Sequence, residues 1–213
     1  PLLVMKFGGT SVADLERIKN AAQKVRREVE RGYDVIVIVS AMSGKTNELV
    51  GWVEATSPLF DAREYDAVVA SGENVTAGLM ALTLQEMDVP ARSWQGWQVP
   101  INTTAQHSAA RFVDIPRANI DQKFTEGFKV AVVAGFQGIG PDGRITTLGR
   151  GGSDTTAVAF AADHGARSFI LATTFTSPTA AALYSPPRIR VTSHKARVEL
   201  KLDTVFPGVC CNT

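Results

Sequence analysis

Val35-Ile36-Val37-Ile38-Val39 is an unbroken β-branched run with no polar alternation, the pattern of a strand buried on both faces of a parallel sheet. Working outward, Leu2 to Phe7 (LLVMKF) is a second apolar run, closed by Gly8-Gly9-Thr10-Ser11. Between the two, Asp14 to Glu30 spaces Leu15, Ile18, Ala22, Val25 and Val29 at three- and four-residue intervals, which predicts a helix, and Gly32 ends it. Ser40 to Gly44 then supplies another glycine-containing loop. Strand, glycine loop, helix, strand, glycine loop is the order of βαβ units, whose right-handed crossovers leave ligand loops at the carboxyl ends of the strands.

Farther out the alternation continues. Asn47 to Val53 and Arg63 to Ala70 read as helices around a looser part from Thr56 to Asp61. Ser71-Gly72-Glu73-Asn74 reads as an interruption before a helix over Val75 to Met87, which Pro90 stops. Ala91 to Trp97 with Val99 to Ile101 is expected to form a short exposed strand pair or loop, with Trp94 and Trp97 shielding the surface or, as the alternative, facing a ligand. Ile115 to Phe128 is a polar helical segment, and Lys129 to Phe136 (KVAVVAGF) is another buried strand. Phe136 to Thr147 forms a hairpin around Pro141-Asp142-Gly143, followed by a helix from Thr155 to His164 and a strand from Ser168 to Ala172. The fold class is therefore α/β with a mostly parallel central sheet. From Thr173 the chain turns rich in threonine, serine and proline without a sustained period, and only Val198 to Val205 suggests a strand.

Composition narrows the function classes. The 213 residues are 45% hydrophobic, ample for a packed core, and a single domain is expected. Net charge is +1 with the two signs interspersed and no basic stripe, so neither nucleic acid nor a membrane surface is an expected partner. Apolar runs such as Val130 to Ala134 are far too short to cross a bilayer, and the first residues lack a signal-peptide pattern; a cytoplasmic location is expected. Cys210 and Cys211 are adjacent near the end of the chain and have no ligand spacing with His107, His164 or His194, which argues against a disulfide framework or a metal site. None of those histidines has a serine or cysteine partner in a nucleophile-elbow setting.

The chemistry concentrates in glycine loops. Gly149-Arg150-Gly151-Gly152-Ser153-Asp154-Thr155-Thr156 opens the apolar segment Ala157 to Ala162. Adjacent glycines let backbone N–H groups approach an anion, a helix N-terminus adds unpaired donors and partial positive charge, and Ser153 or Asp154 can cap it. Arg150 adds a planar cationic fork suited to carboxylate or phosphate. The same letters also fit a tight turn with a capped helix behind it. Lys6 precedes Gly8 and Gly9, where a cation over bare backbone can cancel charge on a transferring phosphoryl group; an edge lysine before an ordinary turn fits as well. The order is neither that of a P-loop nor that of a dinucleotide fingerprint. Ser40, Ser43, Gly44, Lys45 and Thr46 make a second donor-rich loop. Glu73 at a helix start can take a substrate ammonium or favour the helix dipole. Asp154 can hold Mg²⁺, orient a ligand or cap its helix. Together these loops fit phosphoryl transfer to a small acid.

With Lys6-Phe7-Gly8-Gly9-Thr10-Ser11-Val12, Ser40-Ala41-Met42-Ser43-Gly44-Lys45-Thr46, Ser71-Gly72-Glu73 and Gly149 to Asp154 in order, the chain resembles the catalytic domain of the aspartokinases, a branch of the amino-acid kinase family. The resemblance runs from about residue 3 to about residue 170. It implies a three-layer αβα sandwich and ATP-dependent phosphorylation of the side-chain carboxylate of L-aspartate, the first step toward lysine, threonine and methionine, with Mg²⁺ accompanying ATP. It implies catalytic roles for Lys6 and Asp154, a nucleotide side formed by Lys6, Phe7, Gly8, Gly9 and Ser40, and an aspartate side formed by Lys45, Thr46, Asn47, Glu73, Arg150, Gly151, Gly152 and Ser153. Glu73 would take the ammonium and Arg150 the α-carboxylate.

The likeness also marks a departure. Members of the family continue with a Thr-Asp-Val-Asp-Gly-Val-Tyr segment leading into Asp-Pro-Arg, where this chain has Thr173-Thr174-Phe175-Thr176 and then Tyr184-Ser185-Pro186-Pro187-Arg188. No acidic residue occurs between Asp163 and Glu199. The expected organisation is an incomplete catalytic domain over 1–172, a divergent and partly irregular tail over 173–213, and no regulatory ACT domains. Weakened nucleotide binding and turnover follow. The alternative is a catalytically silent domain that binds aspartate or pairs with an intact subunit, as a homo-oligomer or with a regulatory chain.

Overall fold

A computed structural model of the chain describes residues 1–149, 151–163, 168–172, 188–194 and 197–203. The buried run at Val35 sits in β2 (Asp34–Val39), which pairs in parallel with β1 (Leu2–Phe7) on one side and β6 (Val130–Ala134) on the other. β3 (Ala91–Trp94) extends the sheet beyond β6, and β9 (Ser168–Ala172) beyond β1, both parallel. β10 (Arg188–His194) and β11 (Arg197–Asp203) add an antiparallel hairpin at the β9 edge. The rest of the 173–213 tail lies outside the described residues.

Alternation along the strands builds two cores. Leu3, Met5, Phe7, Val35, Val37, Val39, Val130, Val132 and Ala134 face one layer, covered by α1 (Leu15–Glu30) and α4 (Ser71–Glu86). Val4, Ile36, Ile38, Ala131 and Val133 face the other, covered by α5 (Ala118–Thr125) and α6 (Gly152–Asp163) through Ile120, Ala157 and Phe160. This is the three-layer αβα sandwich. A period of two sorts the residues between layers, which is why β2 needs apolar residues throughout.

A second sheet, in the order β5-β4-β7-β8, is built from β4 (Asn102–Thr103), β5 (Phe112–Asp114), β7 (Gln137–Ile139) and β8 (Ile145–Thr147). α2 (Lys45–Thr56) and α3 (Ala62–Val69) complete the set.

Three expectations change. Ser71 to Asn74 does not interrupt a helix; it forms the first turn of α4, and Ala70 between α3 and α4 keeps right-handed helical angles. Gly72 is there for contact, since a Cβ on it would stand 2.9 Å from the Ala41 Cβ. The segment after Pro90 is not an exposed pair. β3 is a sheet strand, Trp94 is 9% exposed, and Val99 and Ile101 are fully buried in the α5/α6 core; Trp97 alone of the two tryptophans is exposed. The polar helix is shorter than Ile115 to Phe128: Pro116 disfavours helical angles at Ile115, and Gly127, at φ 101°, turns the chain out of the helix after Thr125.

Candidate active site

The geometry follows from which face each strand end presents. Lys6 shares its face of β1 with Val4, the face that α6 covers, so its side chain runs toward the first turn of α6. There its Nζ meets Asp154 Oδ1 at 2.6 Å, with the lysine side chain 11% exposed and the aspartate 56%. Gly8 leaves room for that ammonium, because a Cβ there would come within 3.3 Å of Nζ. Phe7 alternates to the opposite core and is fully buried, so only its main chain, whose carbonyl accepts from the Ser40 N–H at 3.1 Å, can face a ligand.

The loops after β1, β2 and β6 touch one another. A Cβ on Gly9 would stand 3.0 Å from the Ala41 carbonyl, and one on Gly135 would stand 2.9 Å from both Ser153 Cβ and the Val39 carbonyl. Ser40 and Ser153 hydroxyls are 2.7 Å apart. On the far side of Ala41, its N–H donates to Glu73 Oε1 at 3.0 Å. Ala41 is thus a clasp between the first glycine loop, the second loop and α4. Its small side chain gives no hint of this in the sequence.

Glu73 is 3% exposed, and its second oxygen, Oε2, is buried without a hydrogen-bond partner. Burial raises its pKa from 4.5 to about 7, with the Ala41 N–H pulling the other way. A carboxylate left in this condition is an unfilled demand for a donor or a cation.

Other expected residues fall differently. Lys45 and Thr46 begin α2 behind Gly44, whose φ of 81° sets the turn. The Lys45 ammonium is engaged by Glu48 at 2.5 Å on the helix surface, and Asn47 is exposed. Gly151, with φ 77°, turns the chain into α6, and Gly152 packs where a Cβ would meet Phe136 and Leu148. Arg150 lies outside the described residues.

Sequence reasoning missed Asp66. This α3 carboxylate is fully buried and receives the Thr147 hydroxyl at 2.5 Å, the Ser108 N–H at 3.1 Å and His107 Nδ1 at 2.6 Å. A single aspartate on a helix gives no signal that it will be a hub.

Among the described residues no group of three His, Cys, Asp or Glu side chains comes together to hold a metal ion. The lone Asp154 carboxyl beside a lysine suits an ion that keeps waters and phosphate oxygens as ligands, as Mg²⁺ does, and not an all-protein cage.

Residues 1–176 match the model of the amino acid kinase family. Aspartokinase 2 of Bacillus subtilis is 49% identical over 161 residues, covering 76% of this chain and 39% of that protein. The crystal structure of aspartate kinase from Synechocystis superposes with a TM-score of 0.71 at 43% identity, over 82% of this chain and 28% of that one. E. coli aspartokinase III, solved in complex with aspartate and ADP, superposes with a TM-score of 0.72 at 25% identity, over 80% and 48%. The chain spans about two fifths of the length of the curated relatives it matches.

Proposed function

This chain belongs to the amino acid kinase family, and from that premise we propose that it binds ATP and L-aspartate and transfers the γ-phosphoryl group to the aspartate side chain, giving 4-phospho-L-aspartate and ADP. The observation that carries this reading is that the ends of the adjacent strands β1 and β2 lead to an ammonium held against α6 and, through the Ala41 N–H, to a buried carboxylate on α4.

The acceptor needs no general base, since an aspartate side chain titrates at about 3.9 and is already ionised at neutral pH. A carboxylate oxygen forms the new bond to the γ-phosphorus as the bond to the bridging oxygen of ADP breaks. Lys6 stabilises the charge spread over the transferring group. Asp154 holds the Lys6 ammonium in place before ligand arrives, and would also hold the Mg²⁺ that comes with the nucleotide and neutralises its phosphates. Glu73 takes the substrate ammonium, and Arg150, Ser153 and the N–H groups of the glycine loop take its carboxylates. The reading places the chain in the cytoplasm, at the first step toward lysine, threonine and methionine. Because residues 173–187 hold no acidic side chain, turnover is expected to be slow.

A coupled ADP-release assay with L-aspartate and MgATP tests the proposal. Turnover that disappears in Lys6→Ala supports it. Calorimetric binding of aspartate without ADP release would leave a silent binding domain, and an absence of binding by either ligand would remove the reading altogether.

A further inference from the structure

We propose that the buried cluster of Asp66, His107, Ser108 and Thr147 is a positioning device that sets the span between Glu73 and the glycine loop after β8, and so sets the affinity for the amino-acid substrate. The inference rests on the reading of those two features as the opposite ends of one aspartate site. The cluster joins three pieces of chain distant in sequence: α3, the loop before β5, and β8.

A fully buried carboxylate must be compensated or it destabilises its surroundings. Among the described residues, the groups that compensate Asp66 come from outside its own helix. Since a carboxylate offers acceptors alone, His107 donates from Nδ1, and Ser108 turns its N–H inward at φ 64°, in the left-handed region that residues with side chains seldom adopt. The strain is local and is held by the bonds it makes possible.

What the cluster connects gives it a role. Thr147 is the last residue of β8; Leu148 is tied to the Phe136 carbonyl at 2.9 Å, and Gly149 to Asp154 follow. In the other direction, α3 runs on into α4, where Glu73 lies seven positions after Asp66. Gln137, fully buried on β7, repeats the tie by donating to the Ala70 carbonyl at 2.9 Å and to Asn74 Oδ1 at 2.8 Å. The arm that bears the buried acid is therefore bolted to the hairpin that bears the anion loop, and neither can shift without breaking buried polar bonds. His107, Ser108, Thr147 and Asp66 are positioning residues; none of them is placed against substrate.

The test uses Thr147→Val, which keeps the shape and removes the hydroxyl, and Thr147→Ser, which restores it; His107→Leu and His107→Asn form a second pair, since the asparagine amide can replace the Nδ1 donor. In Thr147→Val and His107→Leu the KM for L-aspartate is expected to rise ~10-fold, as for loss of one buried hydrogen bond, with the KM for ATP within about twofold. Trypsin cleavage after Arg144, in the turn of that hairpin, should accelerate relative to cleavage after Arg26, and Thr147→Ser and His107→Asn should bring both readouts back. A lowered melting temperature with unchanged KM and an unchanged ratio of cleavage sites would overturn the proposal and leave the cluster a matter of stability alone. If the unaltered chain releases no ADP, the kinase reading fails, and the cleavage ratio still decides whether the cluster holds the hairpin.

Discussion

Lys6 and Glu73 stand at the same end of one sheet with opposite charges and are treated in opposite ways. The lysine is paired at 2.6 Å with a half-exposed aspartate; the glutamate is buried with one oxygen unpartnered. A cation neutralised by a solvent-facing partner can turn to an incoming phosphate at little cost, because the carboxylate it leaves is half-exposed and stays solvated where it stands. A buried acid with a vacant oxygen gains most from a ligand that brings its own cation. One region is poised to trade a partner, and the other to acquire one.

The sharpest way to break that contrast is to remove Lys6. Lys6→Ala is expected to cut turnover ~10³-fold or more, as does loss of a preorganised charge at a transition state, while leaving the melting temperature almost unchanged, since Asp154 is solvated. A large fall in melting temperature would show the pair to be structural.

Glu73→Gln should do the reverse. The KM for aspartate is expected to rise ~10- to 100-fold from the lost charge-assisted bond, and the free protein should become more stable at alkaline pH. The sign follows from the raised pKa: protonated Glu73 is the form the fold prefers, so its contribution to stability is complete below pH 4.5 and is lost as pH rises through about 7. A rise from 4.5 to about 7 corresponds to at most ~3 kcal/mol. Thermal unfolding at pH 5 and pH 8 checks it: the variant should gain on the unaltered chain only at the higher pH.

Gly72→Ala probes the clasp. Helix propensity favours alanine by ~1 kcal/mol, whereas a Cβ 2.9 Å from Ala41 costs ~1–3 kcal/mol of overpacking, so a modest net loss in urea unfolding is expected. A gain would mean the α4 terminus does not press on the loop. The smallest effect belongs to Ser153→Ala, which removes the 2.7 Å contact with Ser40 and should change kcat/KM by about threefold, less than any other change here.

The parts of this molecule that the sequence exposed are those where one physical requirement dominates. Val35 to Val39 had to be a two-faced buried strand, and the spacing from Leu15 to Val29 had to be a helix, because burial alone dictates both patterns. Gly72 is ambiguous in the sequence, because a glycine shows that space is tight or an angle unusual without showing which; in the fold it is tertiary contact with Ala41. Val99 and Ile101 read as exposed, because short apolar letters among turn residues do not reveal that α5 will cover them. The lysine and glycine loops could be found from their lettering. Ala41 and Asp66 could not, since a methyl and an isolated helical aspartate acquire their roles only from what folds against them.

The claim that Glu73 waits for the substrate ammonium is tested most directly by titrating the chain with L-aspartate in buffers of different ionisation enthalpy. Binding should expel a proton from Glu73, about half a proton per aspartate at pH 7 and approaching one at pH 6, with no release in Glu73→Gln. Heats that do not depend on the buffer, in a chain that binds aspartate, would contradict the account.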